Sequence, residues 1–371
     1  MEKMKNVIKK GNIKVHLICF DSLGAKSSSI FVETPDIKLL VDPGAAAMQP
    51  TYPLPLEEKE RLKLKALQKI SQYSEKARII FISHYHNDHY TLASKIPEGF
   101  NYFYKNKIVW LKNPNKFINL TQWKRAREFC EEIYNNLRGE GKLYIRPHKI
   151  KVPSLEEELP FATSKDYGDY QERKKELLEK GRKRLSKLKE LWENKRWVRE
   201  FRFKKGRTIF VDGKQFSIGK TKIRFTFPHY HGIEYDRVGW VIGLIVEYDG
   251  KKLIYSSDIE GPQIEDYAEE VIRENPDILI LDGFPTYLFG KMINRINMER
   301  AKNNIIRIVY GVKAHCVIIY DHHILREEKY KERFKEVYEK TGKRLMTVAE
   351  YMGEQSMIDK ITKENVTKYS T

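Results

Sequence analysis

Short apolar runs alternate along the chain with longer segments in which apolar residues recur every three or four positions. The runs, rich in Val, Ile, Leu and Phe, predict β-strands, and the wider spacing predicts amphipathic helices. Strands are predicted at residues 12–20, 27–33, 37–41, 79–82, 102–110, 207–211, 221–227, 239–247, 252–256, 278–281 and 316–320. The two clearest helices are predicted at residues 57–74 and 122–137. Strands that alternate with helices in this way indicate an α/β fold.

Residues 138–205 break this alternation. Glycines and prolines mark an irregular first part, and three leucines with Trp192 have the spacing of one long amphipathic helix over residues 171–205. That segment holds 15 Lys and Arg against 6 Asp and Glu. We therefore predict a single domain over residues 1–371 that carries a basic helical insertion at about residues 138–205.

The composition is that of a globular protein, with 41% hydrophobic and 32% charged residues. No apolar run approaches the roughly 18 residues of a membrane span, and residues 1–10 are too polar for a signal peptide. Three cysteines, Cys19, Cys130 and Cys316, stand apart in apolar surroundings, which favours reduced thiols over a disulfide framework. We expect a cytoplasmic protein that does not enter a membrane; the sequence leaves its oligomeric state open.

The formal net charge of +18 is the next informative quantity. Such a field attracts polyanions, so an anionic substrate is expected, with nucleic acid as one candidate. The alternative is that the lysines form solvated faces. The predicted helix at residues 171–205 has the same two interpretations: it follows a phosphate backbone, or its leucines cap the rim of an active site. Trp192 and Trp197 would stack on bases in the first case and pack in the core in the second.

The strongest chemical signal follows the predicted strand at residues 79–82. His84, His86, Asp88 and His89 lie within six positions. Because residues i and i+2 of an extended chain point the same way, His84 and His86 can bind one ion. Asp88 and His89, at the following turn, would face a second ion. Imidazole and carboxylate ligands suit zinc, with iron and manganese as alternatives.

Further ligands are expected at three later points where apolar runs stop. The first holds His229 and His231, the second ends in Asp258, and the third ends in His322 and His323. Seven of the ten histidines lie in these segments and the first motif, a concentration that scattered structural histidines would not produce. His322 is the preferred ligand of its pair because it directly follows the strand and its aspartate, and His323 is the alternative.

The segment from His84 to His89 has the HxHxDH pattern of the metallo-β-lactamase superfamily, which the chain resembles. Other stretches are similar to the archaeal uncharacterised protein family 0282. They are Asp21-Ser-Leu-Gly24, Val41-Asp-Pro-Gly-Ala45, residues 112–122, His231-Gly232, Ser257 to Pro262 and Asp321-His-His323. The resemblance runs from about residue 12 to residue 353 and is interrupted by the insertion.

This resemblance implies an αβ/βα four-layer sandwich whose two halves are residues 12–120 and 206–353. It also implies that Asp42 supports the metal-binding loop through hydrogen bonds, and it favours His231 over His229 as a ligand. The ligands predicted for two divalent ions are then His84, His86 and His231 for the first, Asp88, His89 and His322 for the second, and Asp258 between them.

The predicted chemistry is activation of water. Two cations lower the pKa of a bound water from 15.7 towards about 7, which makes hydroxide available at neutral pH. Asp88 or Asp258 would orient this water. His229 or His323, whichever is not a ligand, would give a proton to the leaving group.

Three functions fit these observations, and a redox use of two irons is a minor fourth. The first is a metal-dependent hydrolase that acts on a phosphodiester, either nucleic acid or a nucleotide. The second is a hydrolase of a small ester, lactone or thioester, for which the positive charge is incidental. The third is a nucleic-acid-binding protein with an inherited metal site, which we disfavour because binding alone does not require seven ligands.

Overall fold

The computed structural model describes residues 6–96 and 103–369. Its strands are β1 (Val7–Lys10), β2 (Ile13–Phe20), β3 (Ser28–Glu33), β4 (Lys38–Val41), β5 (Ile79–Ile82), β6 (Ile108–Leu111), β7 (Tyr144–Ile145), β8 (Trp197–Val198), β9 (Arg202–Phe203), β10 (Gly206–Phe210), β11 (Gln215–Ile218), β12 (Thr221–Phe225), β13 (His229–Tyr230), β14 (Trp240–Val241), β15 (Leu244–Tyr248), β16 (Lys251–Tyr255), β17 (Ile278–Asp282), β18 (Val317–Asp321) and β19 (Leu345–Met346). Its helices are α1 (Leu56–Lys76), α2 (Leu120–Asn136), α3 (Leu155–Glu158), α4 (Pro160–Ser164), α5 (Gln171–Asn194), α6 (Glu265–Glu274), α7 (Arg295–Gly311), α8 (Tyr330–Arg333), α9 (Lys335–Thr341), α10 (Val348–Tyr351) and α11 (Met357–Tyr369).

Most strands belong to two large sheets. The first has the order β1-β2-β3-β4-β5-β6-β10-β9, and the second has the order β11-β12-β15-β16-β17-β18-β19. Within them β4, β5, β6 and β10 run parallel, as do β16 to β19, and the other neighbours are antiparallel. The short pairs β7 with β8 and β13 with β14 stand apart from both sheets.

The central strands separate two kinds of core because their side chains alternate between faces. In β5, Ile79 and Phe81 face the second sheet, and the ring of Phe81 lies 4.8 Å from that of Phe225. Ile80 and Ile82 face the other way, into the core that includes α1 and α2. The layers therefore follow the order helix, sheet, sheet, helix, with α6 and α7 covering the second sheet. The predicted αβ/βα four-layer sandwich is confirmed.

Two of the predicted strands and the boundary between the halves need correction. The strand predicted at 239–247 is two strands, β14 and β15, which separate at Gly243, where the backbone N–H donates to Oγ1 of Thr226. Of the strand predicted at 102–110, residue 102 lies outside the described residues and β6 starts only at Ile108. β10 pairs with β6 and thus extends the first sheet, so the second half begins at β11 and not at residue 206.

The helix α5, which we call the insertion helix, is shorter than predicted. It ends at Asn194 because the backbone of the next residues is extended, and Asn115 holds this segment through two hydrogen bonds with the backbone of Val198. The helix holds 9 Lys and Arg against 5 Asp and Glu, so more than half of the basic excess predicted for it lies in residues 195–205, after the helix.

The two tryptophans of the insertion are structural. Trp192 is fully buried, and its Nε1 donates to the backbone oxygen of Ile118 at 3.0 Å. Nε1 of Trp197 donates in turn to the backbone oxygen of Trp192. The interpretation of Trp192 as a platform for nucleic-acid bases is therefore wrong.

The cysteines are buried and free, as predicted. Burial raises the pKa of the Cys19 thiol to about 12, which keeps it protonated. None of the helices within residues 6–96 and 103–369 combines the length and the apolar character that a bilayer crossing requires.

Candidate metal centre

The candidate ligands come together because several strands of both sheets end at the same side of the sandwich. His84 follows β5, Asp258 follows β16, and His322 follows β18. Parallel neighbours such as β16, β17 and β18 necessarily bring their carboxyl ends to one edge, and binding sites in α/β folds form at such edges. His231 arrives separately, directly after the short strand β13.

The loop after β5 contains a turn that packs closely against Gly44. The N–H of His89 donates to the backbone oxygen of His86 at 2.9 Å, which closes a turn. Gly44 passes directly beneath this turn: a Cβ atom added there would lie 2.6 Å from the backbone nitrogen of His89. Only a residue without a side chain permits this approach, so Gly44 determines how closely the ligand loop packs against the chain.

A first group of possible ligands consists of His84, His86, His231 and Asp258, whose donor atoms all lie within 4.8 Å of one another. Nε2 of His84 and Nε2 of His231 each lie 3.5 Å from Oδ2 of Asp258. Gln122 contacts Nε2 of His86 at 3.3 Å, which leaves Nδ1 of that ring for an ion.

A second group consists of Asp88, His89 and His322. Nε2 of His89 lies 3.3 Å from Nε2 of His322 and 2.9 Å from Oδ2 of Asp258. Nε2 of His322 lies 3.4 Å from the same oxygen of Asp258 and 3.7 Å from Oδ2 of Asp88. Asp258 therefore stands between the two groups, where the sequence predicted a bridging carboxylate.

Several of these atoms have no hydrogen-bond partner among the described residues although they are buried. They are Nε2 of His84, Nε2 of His231 and Oδ1 of Asp258. Buried polar atoms are almost always satisfied, and each exception needs an explanation. A divalent cation at the point where these nitrogen and oxygen atoms converge would satisfy them together, and imidazole and carboxylate are the donors that such ions take. The residues therefore fit a metal centre.

Carboxylates behind the ligands fix the orientation of the rings. Oδ2 of Asp42 lies 2.8 Å from Nδ1 of His89, and Asp42 also accepts hydrogen bonds from Ser83 and from the hydroxyl of Tyr255. The structure thus contains the hydrogen bonds that the resemblance implied for Asp42. Oδ1 of Asp21 lies 2.7 Å from Nδ1 of His322. A carboxylate on one ring nitrogen directs the other nitrogen at the ion, as in many metalloproteins.

Asp21 and Asp282 were not among the predicted site residues. Asp21 follows β2 and Asp282 ends β17, so both occupy strand ends at the same edge as the ligands. Their position in the sequence could have identified them, because each aspartate stands where a buried strand ends and this fold builds its site at strand ends. Asp21 in fact opens one of the stretches that carried the family resemblance.

Burial and neighbouring charges shift the pKa values of the ligands in different directions. Burial lowers the pKa of His86 to about 3. Burial also opposes a charge on His322, but Asp21 and Asp258 raise the pKa of that ring to about 10. Burial acts to raise the pKa of Asp258, but His89 and His322 hold that pKa well below the usual range. Because metal ligands bind in their deprotonated forms, an ion would displace the protons held here.

The two candidate proton donors lie in different places. His323 lies at the centre: its Nδ1 is 2.9 Å from Oδ1 of Asp282, and its Nε2 is 4.0 Å from Oδ2 of Asp258. The structure does not bring His229 to the centre. Nε2 of His229 pairs with Glu270 at 3.1 Å, and its ring stacks on Tyr267 with 4.2 Å between centroids.

The backbone around the centre is unusual. Three residues that are not glycine adopt positive φ angles on the loops after β16 and β18: Ser257 (55°), Glu260 (53°) and His322 (73°). Asp42, which supports His89, also has a positive φ of 43°. Each such conformation costs free energy and persists only where the surrounding structure enforces it. The loops are therefore held in one arrangement, which suits a preorganised site.

Comparisons with known proteins agree with the predicted resemblance. The family model of the Metallo-beta-lactamase superfamily matches residues 24–103, which include the His84 to His89 motif. A UPF0282 protein of Methanocaldococcus jannaschii is 29% identical over 354 residues, which cover 93% of this chain and 94% of that protein. A UPF0282 protein of Methanopyrus kandleri is 28% identical over 346 residues, which cover 91% of this chain and 94% of that protein.

Among solved structures, the metallo-beta-lactamase fold protein YhfI from Bacillus subtilis aligns with 87% of this chain and 92% of its own, at 13% identity and a TM-score of 0.42. The family model and the two relatives confirm the resemblance to the superfamily and to family 0282. Together with the cluster of histidines and aspartates, the family model also confirms the prediction of a metal-dependent hydrolase at this general level.

Proposed function

We propose that this chain, which has the metallo-β-lactamase fold and resembles the UPF0282 proteins over most of its length, uses two divalent metal ions, preferably zinc, to hydrolyse phosphodiesters. The observation that carries this proposal is the set of buried nitrogen and oxygen atoms without hydrogen-bond partners among the described residues, on His84, His231 and Asp258. A cation among these atoms would offset the free energy that their burial without partners costs.

Two sets of side chains would hold the ions. The first is His84, His86, His231 and Asp258, and the second is Asp88, His89, His322 and Asp258. When bound, ions of this kind lower the pKa of water and stabilise negative charge on a phosphoryl oxygen.

The chain itself supplies orientation and a proton. Asp88 and Asp258 are the carboxylates placed to orient a water molecule. Nδ1 of His323 is held by Asp282, so Nε2 is the atom that would pass a proton to the leaving group. His229 has no part in this scheme, because its ring pairs with Glu270 away from the centre.

The charge of the chain supports a phosphodiester. The net charge of +18 concentrates anions near the surface and accelerates their encounter with the site. Of the seven predicted ligands, His86 and Asp88 are partly exposed and the other five are buried. The substrate would therefore approach from the side of His86 and Asp88.

A second candidate function is hydrolysis of a small ester, lactone or thioester. One observation favours it: the insertion helix packs on the loop that follows His231, where Arg184 donates to the backbone oxygen of Tyr235 and Lys174 pairs with Glu234. A helix fixed over this loop narrows the space beside the centre, which suits a small molecule better than a polymer.

The test begins with metal analysis of the purified protein and continues with a panel of chromogenic phosphodiesters, lactones and thioesters. We expect about two transition-metal ions per chain and preferential hydrolysis of the phosphodiesters. Preference for a lactone or thioester would replace the proposed substrate class by the second candidate. A protein that binds no metal would refute both.

Asp258 provides the sharpest variant. Asp258→Ala is expected to remove at least one ion and most of the activity, because this carboxylate lies between both groups of ligands. His315→Ala is the matched control, since His315 is exposed and pairs with Asp277. Retention of both ions by the Asp258 variant would exclude Asp258 from the centre.

We also propose that the protein works in the cytoplasm. Its three cysteines are all free and buried, which is typical of a reducing compartment.

A further inference from the structure

Arg326 lies inside the candidate metal centre, although its guanidinium group cannot serve as a ligand. It ends the 3-10 helix His323–Arg326 and is only 6% exposed. Its Nε donates to Oδ2 of Asp21 at 2.6 Å. Its Nη2 lies 3.1 Å from Oδ2 of Asp88 and 3.2 Å from Nε2 of His322. The guanidinium group thus touches donor atoms of two of the three residues in the second group.

The contact with His322 is the important one. A histidine binds a metal ion in its neutral form, whose unprotonated nitrogen has a single lone pair. Asp21 lies on Nδ1 of His322, so Nε2 is the nitrogen left for an ion. Nη2 of Arg326 lies almost as close to Nδ1 of His322, at 3.4 Å, as to Nε2. The guanidinium group thus lies beside the ring, within a few ångströms of the place that an ion on Nε2 would take. The carboxylate oxygen of Asp88 has two lone pairs and can serve both an ion and Arg326.

Charge acts in the same direction as geometry. A guanidinium group keeps its positive charge in proteins, and it repels a divalent cation placed a few ångströms away. Tyr287 contacts Nη1 of Arg326 at 3.5 Å, and the backbone oxygen of Arg326 accepts from Gln49 at 2.6 Å. Together with Asp21, these contacts hold the arginine where it is.

The first group of ligands has no such competitor within the described parts of the chain. Nε2 of His84 and Nε2 of His231 make no hydrogen bond there. Gln122 contacts His86 through Nε2 and leaves Nδ1 accessible. The two positions are therefore built differently.

We propose that Arg326 sets the affinity of the second metal position, so that the first position fills tightly and the second fills only when the guanidinium group leaves Nε2 of His322. This inference rests on the proposed function, since it takes both groups of ligands as metal positions. Arg326 is a positioning residue in this scheme: it acts through His322 and Asp88.

The test is a metal titration of the full-length protein. Protein stripped by a chelator is titrated with Zn²⁺ in the presence of a chromogenic competitor, and the ions retained after gel filtration are counted by mass spectrometry. We expect the wild type to bind one ion at least about tenfold more tightly than the second. Co²⁺ absorption spectra, recorded as each equivalent is added, follow the two positions separately.

Arg326→Met removes the competing donor and its charge. It is expected to strengthen binding at the second position by about ten- to a hundredfold, the usual range for groups that contact metal ligands, and to change the first by much less. Arg326→Lys keeps the positive charge but loses the planar set of N–H donors. Its affinity for the second ion should lie between those of the wild type and Arg326→Met. Arg333→Met is the matched control, because Arg333 is close in sequence but pairs with Glu327.

Arg326→Met also leaves Asp21 buried without its cation, so its fold must be checked by circular dichroism. The double variant Asp21→Asn, Arg326→Met avoids this imbalance, since an asparagine oxygen can still accept from Nδ1 of His322. Tighter binding at the second position in either folded variant supports the proposal. Unchanged second-site affinity in both variants, or equal affinities in the wild type, overturns it.

These outcomes separate the inference from the proposed function. If two ions bind with equal affinity and the Arg326 variants match the wild type, the inference fails and the metal-dependent function stands. If no variant and no wild-type sample binds zinc or cobalt, both fail together.

Discussion

Nζ of Lys174, in the insertion helix, lies 3.0 Å from Oε1 of Glu234, three residues beyond His231. Nη2 of Arg300, in α7, lies 2.7 Å from the same oxygen, and Arg300 also pairs with Glu265. Burial acts against a charge on Glu234, but Arg300 and Lys174 lower its pKa to about 2. One buried carboxylate therefore links the insertion helix, the loop of His231 and α7.

This link predicts a large effect of Glu234→Ala on stability. The variant leaves Lys174 buried without a carboxylate, and the loss of one partner of a buried ion pair typically costs roughly 3 to 5 kcal/mol. The free energy of unfolding from urea titrations measures this loss, and limited trypsin digestion should show faster cleavage within the insertion helix. Glu176→Ala, on the exposed face of the same helix, is the control. An equal, small effect of both substitutions would contradict the role of Glu234 as a buried link.

The tandem histidines are predicted to behave differently. His322→Ala should empty the second metal position, because Nε2 of His322 lies near Asp88, His89 and Asp258. His323→Ala should keep both ions and slow turnover, because Nε2 of His323 is farther from Asp258, at 4.0 Å. Metal counting and steady-state kinetics on the same preparations distinguish the two. A bond of about 2.1 Å between His323 and a metal ion in a crystal structure would reverse the assignment.

Glu158 predicts a pH dependence of stability. Burial raises the pKa of its carboxyl from an ordinary value of 4.5 to about 7, so the folded protein holds a proton that the unfolded chain has released. Stability should therefore be fully present below pH 4.5 and fall as the pH rises to about 7. Glu158→Gln remains neutral and should raise the free energy of unfolding at pH 8 by about 3 kcal/mol, with little effect at pH 4.5.

The measurement for Glu158 is urea unfolding of wild type and variant at both pH values. The hydroxyl of Tyr230, which donates to Glu158, can donate equally to a glutamine oxygen. Glu156→Gln, two residues earlier and exposed, is the control. A gain at pH 8 that the control shares would show that general surface charge, and not the buried carboxyl, is responsible.

The insertion helix offers a test between polymer and small substrate. Lys180, Lys183 and Lys187 are exposed on it, whereas Arg184 contacts the backbone of Tyr235 and is better left intact. If this face binds nucleic acid, replacing the three lysines with Glu should cut affinity and flatten the salt dependence. The log–log slope should fall by roughly 0.7 to 0.9 for each phosphate that the helix no longer neutralises.

Hydrolysis of a small chromogenic phosphodiester by the same triple variant is the internal control, since the metal ligands lie elsewhere. If the helix acts as a lid instead, Leu188→Ala should change turnover of the small substrate, because Leu188 packs against the core. Nucleic-acid affinity that is unaffected by the triple reversal would favour the small-molecule function.

Much of the fold was predictable because local patterns dominate it. The strand at 79–82 and the helix at 57–74 are confirmed to within two residues at each end, since burial on both faces and amphipathic spacing leave few alternatives. The insertion helix was predicted to be too long because the basic residues and the apolar spacing continue past Asn194. What ends it is Asn115, far away in sequence, through hydrogen bonds to Val198.

The site was predictable only where its chemistry is dense in sequence. Histidines at fixed spacing indicate a metal-binding motif, so the sequence is enough to name the candidate ligands. Their roles remain predictions. Asp282 has the one sequence signal of an aspartate at a strand end. Arg326 has no comparable signal, and only its three-dimensional contact with His322 reveals it. His229 was included because it lies two positions before His231, although Glu270 holds it elsewhere.

The ion pair between Asp21 and Arg326 joins residues that are 305 positions apart. The N–H of Ala349 donates to the hydroxyl of Ser22 across a still longer separation. The centre consequently has no local precursor during protein synthesis: the histidines near position 84 leave the ribosome long before His322 and Arg326 exist. The complete centre can therefore bind metal only late in folding, after both sheets have formed and packed together.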